Sequence, residues 1–142
     1  MPMISITRLR LRSWIYLPRF FIEAMRSNRH ASAAEGNLGV RLLPDKRNTF
    51  WTATSWSSEA AMRAFVIAAP HGPVMRKLMH WCDEASVVHW EQPDATLPSW
   101  EEAHRRLEKE GRLSKVNFPS PAHTAHRYPA PAVSRAGERR VK

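Results

Sequence analysis

Two histidines of the chain stand where an imidazole can take part in chemistry. His71 lies in the segment PHGP at 70–73, between two helical stretches, where it can serve as a base, a hydrogen-bond donor or a metal ligand. His89 alternates with Val88 and Trp90 in a β-branched and aromatic run, so it points to one face of a strand. The structural alternatives are an exposed loop histidine for His71 and a half-buried histidine for His89.

Other residue types that could carry chemistry indicate packing instead. Trp51, Trp56, Trp81 and Trp90 could line an aromatic pocket, but tryptophans of a small domain usually lie in its core or at an interface. Cys82 is the single cysteine, which excludes an internal disulfide and a cysteine-based zinc site. Gly-rich phosphate loops and the HExxH and GxSxG motifs are missing, and the remaining histidines lack metal-ligand spacing. No metal site is predicted, and hydrolases and nucleotide enzymes are disfavoured.

The charge of the chain points to an anionic partner. Its 22 Lys and Arg against 13 Asp and Glu give a net charge of +9. A ladder of arginines on the first predicted strand and helix could track phosphates, or it could be an ordinary solvated face. The ladder consists of Arg8, Arg10, Arg12, Arg19, Arg26 and Arg29.

Hydropathy along the chain indicates whether it has a secretory signal or a membrane-spanning helix. Arginines interrupt the apolar residues of the N-terminal MPMISITRLRLRSW, so this segment does not read as a secretory signal. No window approaches the roughly eighteen apolar residues that a membrane-spanning helix needs. We therefore expect a soluble cytoplasmic protein with no membrane partner.

Hydrophobic periodicity predicts four strands and two helical regions in the order β-α-β-β-α-β. Alternating and β-branched runs predict strands, and apolar residues three and four apart predict helices. Strands are expected at 3–11, 40–43, 49–56 and 86–91, and helices at 14–33, 59–69 and 74–82. Because both crossovers are right-handed, this order gives a ferredoxin-like α+β fold, an antiparallel four-stranded sheet with helices on one face.

The helix-free face and the C-terminal third complete the predicted architecture. A bare apolar sheet face usually finds a partner, and a twofold homodimer is the commonest solution. Ser99 predicts a capped helix, whose Trp100, Ala103 and Leu107 could clasp the domain or a dimer mate. From Phe118 on, prolines among small and polar residues predict disorder. The expected organisation is a domain over 1–93, a helical extension over 94–117 and a disordered basic tail over 118–142.

Four segments of the chain, taken in order, resemble one known family. They are GNLGVRLL at 36–43, TFWTATSW at 49–56, SEAAMRAF at 58–65 and HGPVM at 71–75. Over residues 3–91 the chain is similar to the antibiotic biosynthesis monooxygenase (ABM) superfamily, which implies a dimeric α+β barrel. That superfamily includes cofactor-independent oxygenases acting on aromatic polyketides and heme-degrading enzymes.

The resemblance implies a site between the sheet and the helices. The heme-degrading branch carries Asn, Trp and His at positions that here hold Thr7, Phe65 and Met75, which disfavours heme, so no cofactor is expected. A substrate that itself activates oxygen needs positioning, desolvation and one base, for which His71 is the candidate. The expected ligand-binding residues are Thr7, Trp51, Phe65, Met75 and His89.

Two functions from different classes follow from these observations. One is a monooxygenase-like homodimer that holds or oxidises a small apolar or aromatic molecule. The alternative is a non-catalytic dimeric module that binds RNA or another polyanion through its basic strand, first helix and tail. A structural dimer without a ligand is a third hypothesis.

Overall fold

The computed structural model describes residues 1–68, 71–131 and 138–140, with the backbone alone for 71–73 and 139–140. The strands are β1 (Met3–Leu11), β2 (Asn37–Asp45), β3 (Thr49–Trp56), β4 (Cys82–Glu91), β5 (Arg112–Leu113) and β6 (Arg139–Arg140). A 3₁₀ turn (Trp14–Tyr16) leads into the first of the helices, which are α1 (Leu17–Ala33), α2 (Glu59–Ile67), α3 (His71–Trp81), α4 (Trp100–Glu110) and α5 (Pro121–Ala125).

These strands form one antiparallel sheet in the order β5-β4-β1-β3-β2-β6. The four long strands in the middle, β4-β1-β3-β2, have the arrangement that the order β-α-β-β-α-β produces with right-handed crossovers. The predicted ferredoxin-like α+β fold is therefore confirmed. β1 lies between β3 and β4, so both of its edges are paired along its length.

Two element boundaries differ from the predicted ones. β4 begins at Cys82 rather than at residue 86, because Cys82 pairs with Leu11 and the strand follows β1 from there. The polar pair Asp83-Glu84 hides this start, since both residue types are rare in strands. α3 begins at His71, three residues before the predicted start, so the expected loop histidine is the first residue of a helix.

One face of the sheet is covered by α1, α2 and α3. α2 follows its N-cap Ser58, whose Oγ accepts a hydrogen bond from the backbone N–H of Ala61, and it begins at Glu59, where the sequence predicted the helix to start. The stripe of α1 that includes Phe20 and Ala31 turns to the sheet and is buried. The aromatic ring of Phe20 lies 4.6 Å from that of Phe50 on β3.

The other face of the sheet is covered by α4. Ser99 caps this helix, and its stripe Trp100, Ala103 and Leu107 packs against Ile4 and Ile6 of β1 in one buried cluster. The helices of the β-α-β-β-α-β unit lie on one face, as predicted, and α4 clasps the domain, which was one of the two alternatives for it. Only the expectation that the second face is left bare is wrong. A bare apolar face was the physical reason for expecting a homodimer, and α4 removes that reason on this side; the homodimer stays a prediction.

A buried ion pair lies on the same side as α4. Nη1 of Arg8 and Oε1 of Glu84 are 2.6 Å apart, and these residues are only 2% and 3% exposed. Arg10 and the hydroxyl of Ser120 donate to the other carboxylate oxygen of Glu84, at 2.9 and 2.8 Å. The Arg8 guanidinium also lies 4.3 Å from the ring centre of Tyr128, within cation–π distance.

These contacts order part of the segment that was predicted to be a disordered tail. Ser120 caps α5 by accepting from the backbone N–H of His123, and both His123 and Tyr128 are buried. The expectation of disorder from Phe118 onward therefore fails for residues 118–131. A few long-range polar contacts hold this stretch, and proline content gives no sign of them. Residues 132–137 and 141–142 lie outside the described residues.

Protonation states in this region follow from burial and from charged neighbours. Burial opposes ionisation of Glu84, but the hydrogen bonds from Arg8, Ser120 and Arg10 outweigh it, so the Glu84 pKa is lowered from 4.5. Burial lowers the pKa of His123 from 6.5, against the opposite influence of Glu84 and Asp83. The neutral ring of His123 accepts the backbone N–H of Ala85 at Nδ1.

We predict that α4 is an integral part of the folded domain. Leu107 is fully buried, so Leu107→Ala should lower the free energy of unfolding by about 3 kcal/mol, through lost burial and the cavity left behind. Urea denaturation followed by circular dichroism measures this loss. Lys109→Ala, on the exposed side of the same helix, should change stability by less than about 0.5 kcal/mol. Equal, small effects of both substitutions would show that α4 is a loosely attached appendage.

We also predict that mild acid destabilises the C-terminal segment. A histidine with a lowered folded-state pKa contributes its full stability above the unfolded value of 6.5, and this is lost as pH falls through the folded value. Glu84 adds a further loss of stability below pH 4.5, which the raised pKa of the half-buried Asp83 partly offsets. His123→Asn keeps an acceptor near Nδ1 without titrating, so its urea midpoint should change less than that of the wild type between pH 7 and pH 5. Parallel curves would contradict the assignment.

Candidate functional site

Two rows of polar side chains cross the middle of the sheet on the side of α1, α2 and α3. In one row Thr7 pairs with Thr52, and in the next Ser5 pairs with Thr54 on one side and His89 on the other. Side chains alternate along strands, so these five share one face. That face is the helix side, because Thr54 accepts a 2.9 Å hydrogen bond from Trp56, which packs against α1 and α2.

Apolar clusters border the polar rows on both sides. One cluster joins the start of α1 to the end of α3 and contains Leu9, Leu11, Phe20, Phe50, Trp81 and Ala85. The other joins the end of α1 to α2 and contains Met3, Ala31, Val40, Trp56 and Met62. The five polar residues between them are half-buried. Since both edges of β1 are paired, solvent reaches Ser5 and Thr7 through the face, between the helices. We call this gap above the centre of the sheet the cleft.

Ser27 of α1 brings a further hydroxyl to the buried side of this helix. It lies three residues after Ala24 and four before Ala31, both of which turn toward the sheet, so it belongs to the same stripe. Its Oγ is buried and has no hydrogen-bond partner among the described residues. A buried hydroxyl without a partner lowers the stability of the fold. The hydroxyl of Ser27 is therefore free to form a hydrogen bond with a polar atom of a bound molecule.

The structure brings some of the sequence-predicted site residues together. Thr7 and His89 both face the cleft, from neighbouring strands. Phe65 of α2 stands at the border of the cleft, where its ring stacks on Trp56 at 5.2 Å and on His30 at 5.4 Å. Met75 of α3 is 41% exposed and lies on the surface of that helix.

Trp51 and His71 are not placed in this cleft by the described geometry. Trp51 alternates with Thr52 and therefore lies on the opposite face of the sheet, fully buried beside Trp100 of α4 at 6.5 Å. It is a core residue there. The side chain of His71 lies outside the described residues, and only its backbone position at the start of α3 is described.

Four polar residues of this region were not predicted as site residues from the sequence: Ser5, Ser27, Thr52 and Thr54. A signal was present, because Ser5 and Thr7 are two positions apart in β1 and Thr52 and Thr54 are two positions apart in β3, which places each pair on one face of its strand. For Ser27 the signal is a polar residue within the apolar stripe of an amphipathic helix. Both signals become informative only when the pairing of β1 with β3 is known.

The arginine ladder is largely occupied by contacts within the chain. Arg8 and Arg10 bind Glu84, as described above. Arg12 donates to the backbone carbonyl of His80 at 2.7 Å and to the hydroxyl of Tyr16 at 2.6 Å. The three strand arginines therefore do not form an open phosphate-binding surface.

Metal binding and thiol chemistry find little support in the described part of the chain. It contains no group of three or more His, Cys, Asp or Glu side chains placed to hold a metal ion. Burial, followed by the nearby charge of Asp83, raises the pKa of the Cys82 thiol to about 12. Cys82 is therefore a neutral packing residue at physiological pH, as the sequence analysis expected. No helix among the described residues is long and apolar enough to cross a membrane.

Solved structures with this architecture include oxygenases. SnoaB, a cofactor-independent oxygenase from Streptomyces nogalater, aligns with a TM-score of 0.53 at 17% identity, over 69% of this chain and 98% of SnoaB. An antibiotic biosynthesis monooxygenase aligns with a TM-score of 0.58 at 10% identity, over 65% of this chain and 99% of its own. A conserved protein from Methanosarcina mazei Go1 gives 0.59 at 8% identity, over 65% and 93%. At these identities the likeness shows the fold, and it confirms the ABM-like architecture.

The sequence itself matches one family model. No curated protein matches the chain. The model described as "Domain of unknown function (DUF3291)" matches residues 21–130, which run from α1 through the C-terminal segment that packs on the sheet. The match therefore includes α4 and α5 as well as most of the ferredoxin-like body, and this chain belongs to the DUF3291 family.

Proposed function

We propose that the protein binds a small, largely apolar or aromatic molecule with polar substituents in the cleft between the sheet and α1–α3, and that it acts there as a cofactor-independent oxygenase. The observation that carries this proposal is the pair of half-buried polar rows enclosed by two apolar clusters, with the unpartnered hydroxyl of Ser27 on the helix above. Apolar walls with a few convergent polar groups are typical of small-molecule sites.

The chemistry that this cleft supports is proton transfer and positioning. The imidazole of His89 stands beside Ser5 at the end of one polar row, where it can take a proton from a bound substrate. His71, at the start of α3, is the second candidate for the base. The hydroxyls of Ser5, Thr7, Thr52 and Thr54 can donate to carbonyl or phenolate oxygens of the same molecule.

In oxygenation without a cofactor, the substrate itself supplies the electrons that reduce O₂. A methylene group that is conjugated with an aromatic ketone through fused rings, as in an anthrone, loses a proton to the base, and the carbanion reduces and combines with O₂ to give a hydroperoxide. Loss of water from the hydroperoxide leaves a carbonyl, so one CH₂ and one O₂ become one C=O and one H₂O. SnoaB, described as cofactor-independent, supports the compatibility of this fold with such chemistry. The described walls of the cleft come from one chain, so the proposal does not require a homodimer.

The polyanion-binding alternative has weaker support. It rested on the arginine ladder and the basic tail, but Arg8 is buried against Glu84 and the ring of Tyr128. Part of the tail is packed against the sheet, and most of the remainder lies outside the described residues. Binding of a small molecule in the cleft is therefore the function that the geometry favours.

We predict that Ser27→Ala separates stability from binding. Removing a buried hydroxyl without a partner should raise the free energy of unfolding by about 1 kcal/mol, whereas loss of the same hydroxyl should weaken ligand binding about tenfold. Urea denaturation measures the first effect, and titration with an anthrone, monitored by tryptophan fluorescence, measures the second. Thr124→Val, at an exposed position of α5, should alter neither quantity. Unchanged anthrone affinity in both Ser27→Ala and Thr7→Val would contradict the proposed site.

We further predict that one histidine in this region serves as the base. With an anthrone and dissolved O₂, oxygen consumption should fall by about 10²-fold or more in His89→Ala, while anthrone affinity changes little. The same measurement on His71→Ala decides between the two histidines. If both variants keep wild-type rates, neither histidine is the base. If the wild type binds the anthrone but consumes no oxygen, the cleft is a binding site without oxygenase activity.

A further inference from the structure

The outer surface of α1, α2 and α3 carries most of the large apolar side chains that the described residues expose. Isolated apolar residues on a surface are ordinary, but a cluster of this kind marks an interaction site. Ile67 is 82% exposed, Trp14 72% and Ile22 59%. The full set on these helices and the preceding 3₁₀ turn is Trp14, Ile15, Phe21, Ile22, Met25, Val66, Ile67 and Met75.

The helices that carry most of these side chains form one continuous layer. α1 lies beside α3, where Lys77 and Glu23 form a 3.0 Å ion pair, and beside α2, where His30 stacks on Phe65. The side of α1 that carries Phe20 and Ala31 packs against the sheet and is buried. Ile22 and Met25, which are two and five residues after Phe20, therefore point away from it, so α1 has a second apolar side that the described residues leave uncovered.

Basic residues surround this apolar surface in excess of acidic ones. The three helices and the 3₁₀ turn contain two acids, and both are paired, Glu23 with Lys77 and Arg26 and Glu59 with Arg63. Arg19, Arg29 and Arg76 have no ion-pair partner among the described residues, so the layer carries a net positive charge. We name this surface, with its eight apolar residues and these arginines, the helical outer face.

The chemistry of the helical outer face selects among three possible occupants. A second copy of the chain would bring equal positive charges together, which disfavours a symmetric contact. Single-stranded nucleic acid binds through stacked aromatic rings, but most of the exposed set is aliphatic or methionine. An anionic lipid surface matches both features, because isoleucine, methionine and tryptophan enter the interface while arginines bind lipid phosphates.

We propose that the helical outer face docks on the surface of membranes that contain anionic lipids. The helices lie flat in the headgroup region, with Ile22 and Met25 of α1 and Trp14 of the preceding turn inserted and Arg19 and Arg29 against the phosphates. No membrane partner was expected from the sequence, because no apolar run is long enough to span a membrane. Docking on the surface needs no spanning segment, since it depends on an apolar side and a basic rim of short helices.

Co-sedimentation with lipid vesicles tests this proposal on the full-length protein. We expect binding to vesicles of phosphatidylcholine and phosphatidylglycerol, weak binding to phosphatidylcholine alone, and loss of binding as salt is added. The double variant Ile22→Gln/Met25→Gln should reduce the partition coefficient about tenfold, through lost apolar insertion. Arg19→Gln and Arg29→Gln should each reduce it about fivefold.

A matched control carries one apolar and one basic substitution on the far edge of the sheet. Leu113→Gln/Arg112→Gln alters adjacent exposed residues of β5, so its vesicle binding should equal that of the wild type. No binding to anionic vesicles at low salt would overturn the proposal, as would unchanged binding of Ile22→Gln/Met25→Gln. Light scattering without vesicles provides the last outcome: if the wild type is a dimer and Ile22→Gln/Met25→Gln a monomer, the face contacts a second copy and the lipid proposal fails.

Discussion

Burial of both faces of a single small sheet is the constraint on which the rest of this structure depends. Alternation along β1 sends Ile4 and Ile6 to one side and Ser5 and Thr7 to the other, so each side needs a cover of its own. α1, α2 and α3 cover one side, and α4 covers the other from within the same chain. Because α4 removes the apolar face that a partner would otherwise bury, the fold is complete on that side without one.

The buried ion pair gives the C-terminal segment a specific place on that covered side. Taking a guanidinium and a carboxylate out of water is unfavourable, and the loss is offset only when the remaining donors and acceptors are satisfied. Arg10 and Ser120 complete the shell of Glu84, and Tyr128 lies over Arg8. The same contacts bury Arg8 and pair the partly exposed Arg10 with Glu84, so neither arginine is left as an unpaired positive charge.

The cleft on the helix side is a local departure from an apolar interior. Hydroxyl residues occupy the centre of the sheet where larger apolar residues would close the gap between the two clusters, and Ser27 adds an unsatisfied hydroxyl above them. Such an arrangement lowers stability, and proteins retain it chiefly where a ligand binds. Thr7 and His89 could be assigned to this region from the resemblance, whereas Ser27 and the paired threonines could not, because their position depends on which strands are neighbours.

Local patterns in the sequence were sufficient to predict the secondary-structure elements and the face of each element on which a side chain lies. Alternation identified β1 and β3, spacing of three and four identified α1 and the stripe of α4, and the cap Ser99 marked the start of α4, since each of these depends on residues close together in the chain. Only the tertiary structure decided where α4 packs, that β4 begins at Cys82, that Trp51 lies across the sheet from Thr7, and that residues 118–131 are ordered. These outcomes depend on contacts between residues that are far apart in the sequence, such as the ion pair of Arg8 with Glu84. No local pattern specifies which distant residue a buried group will contact.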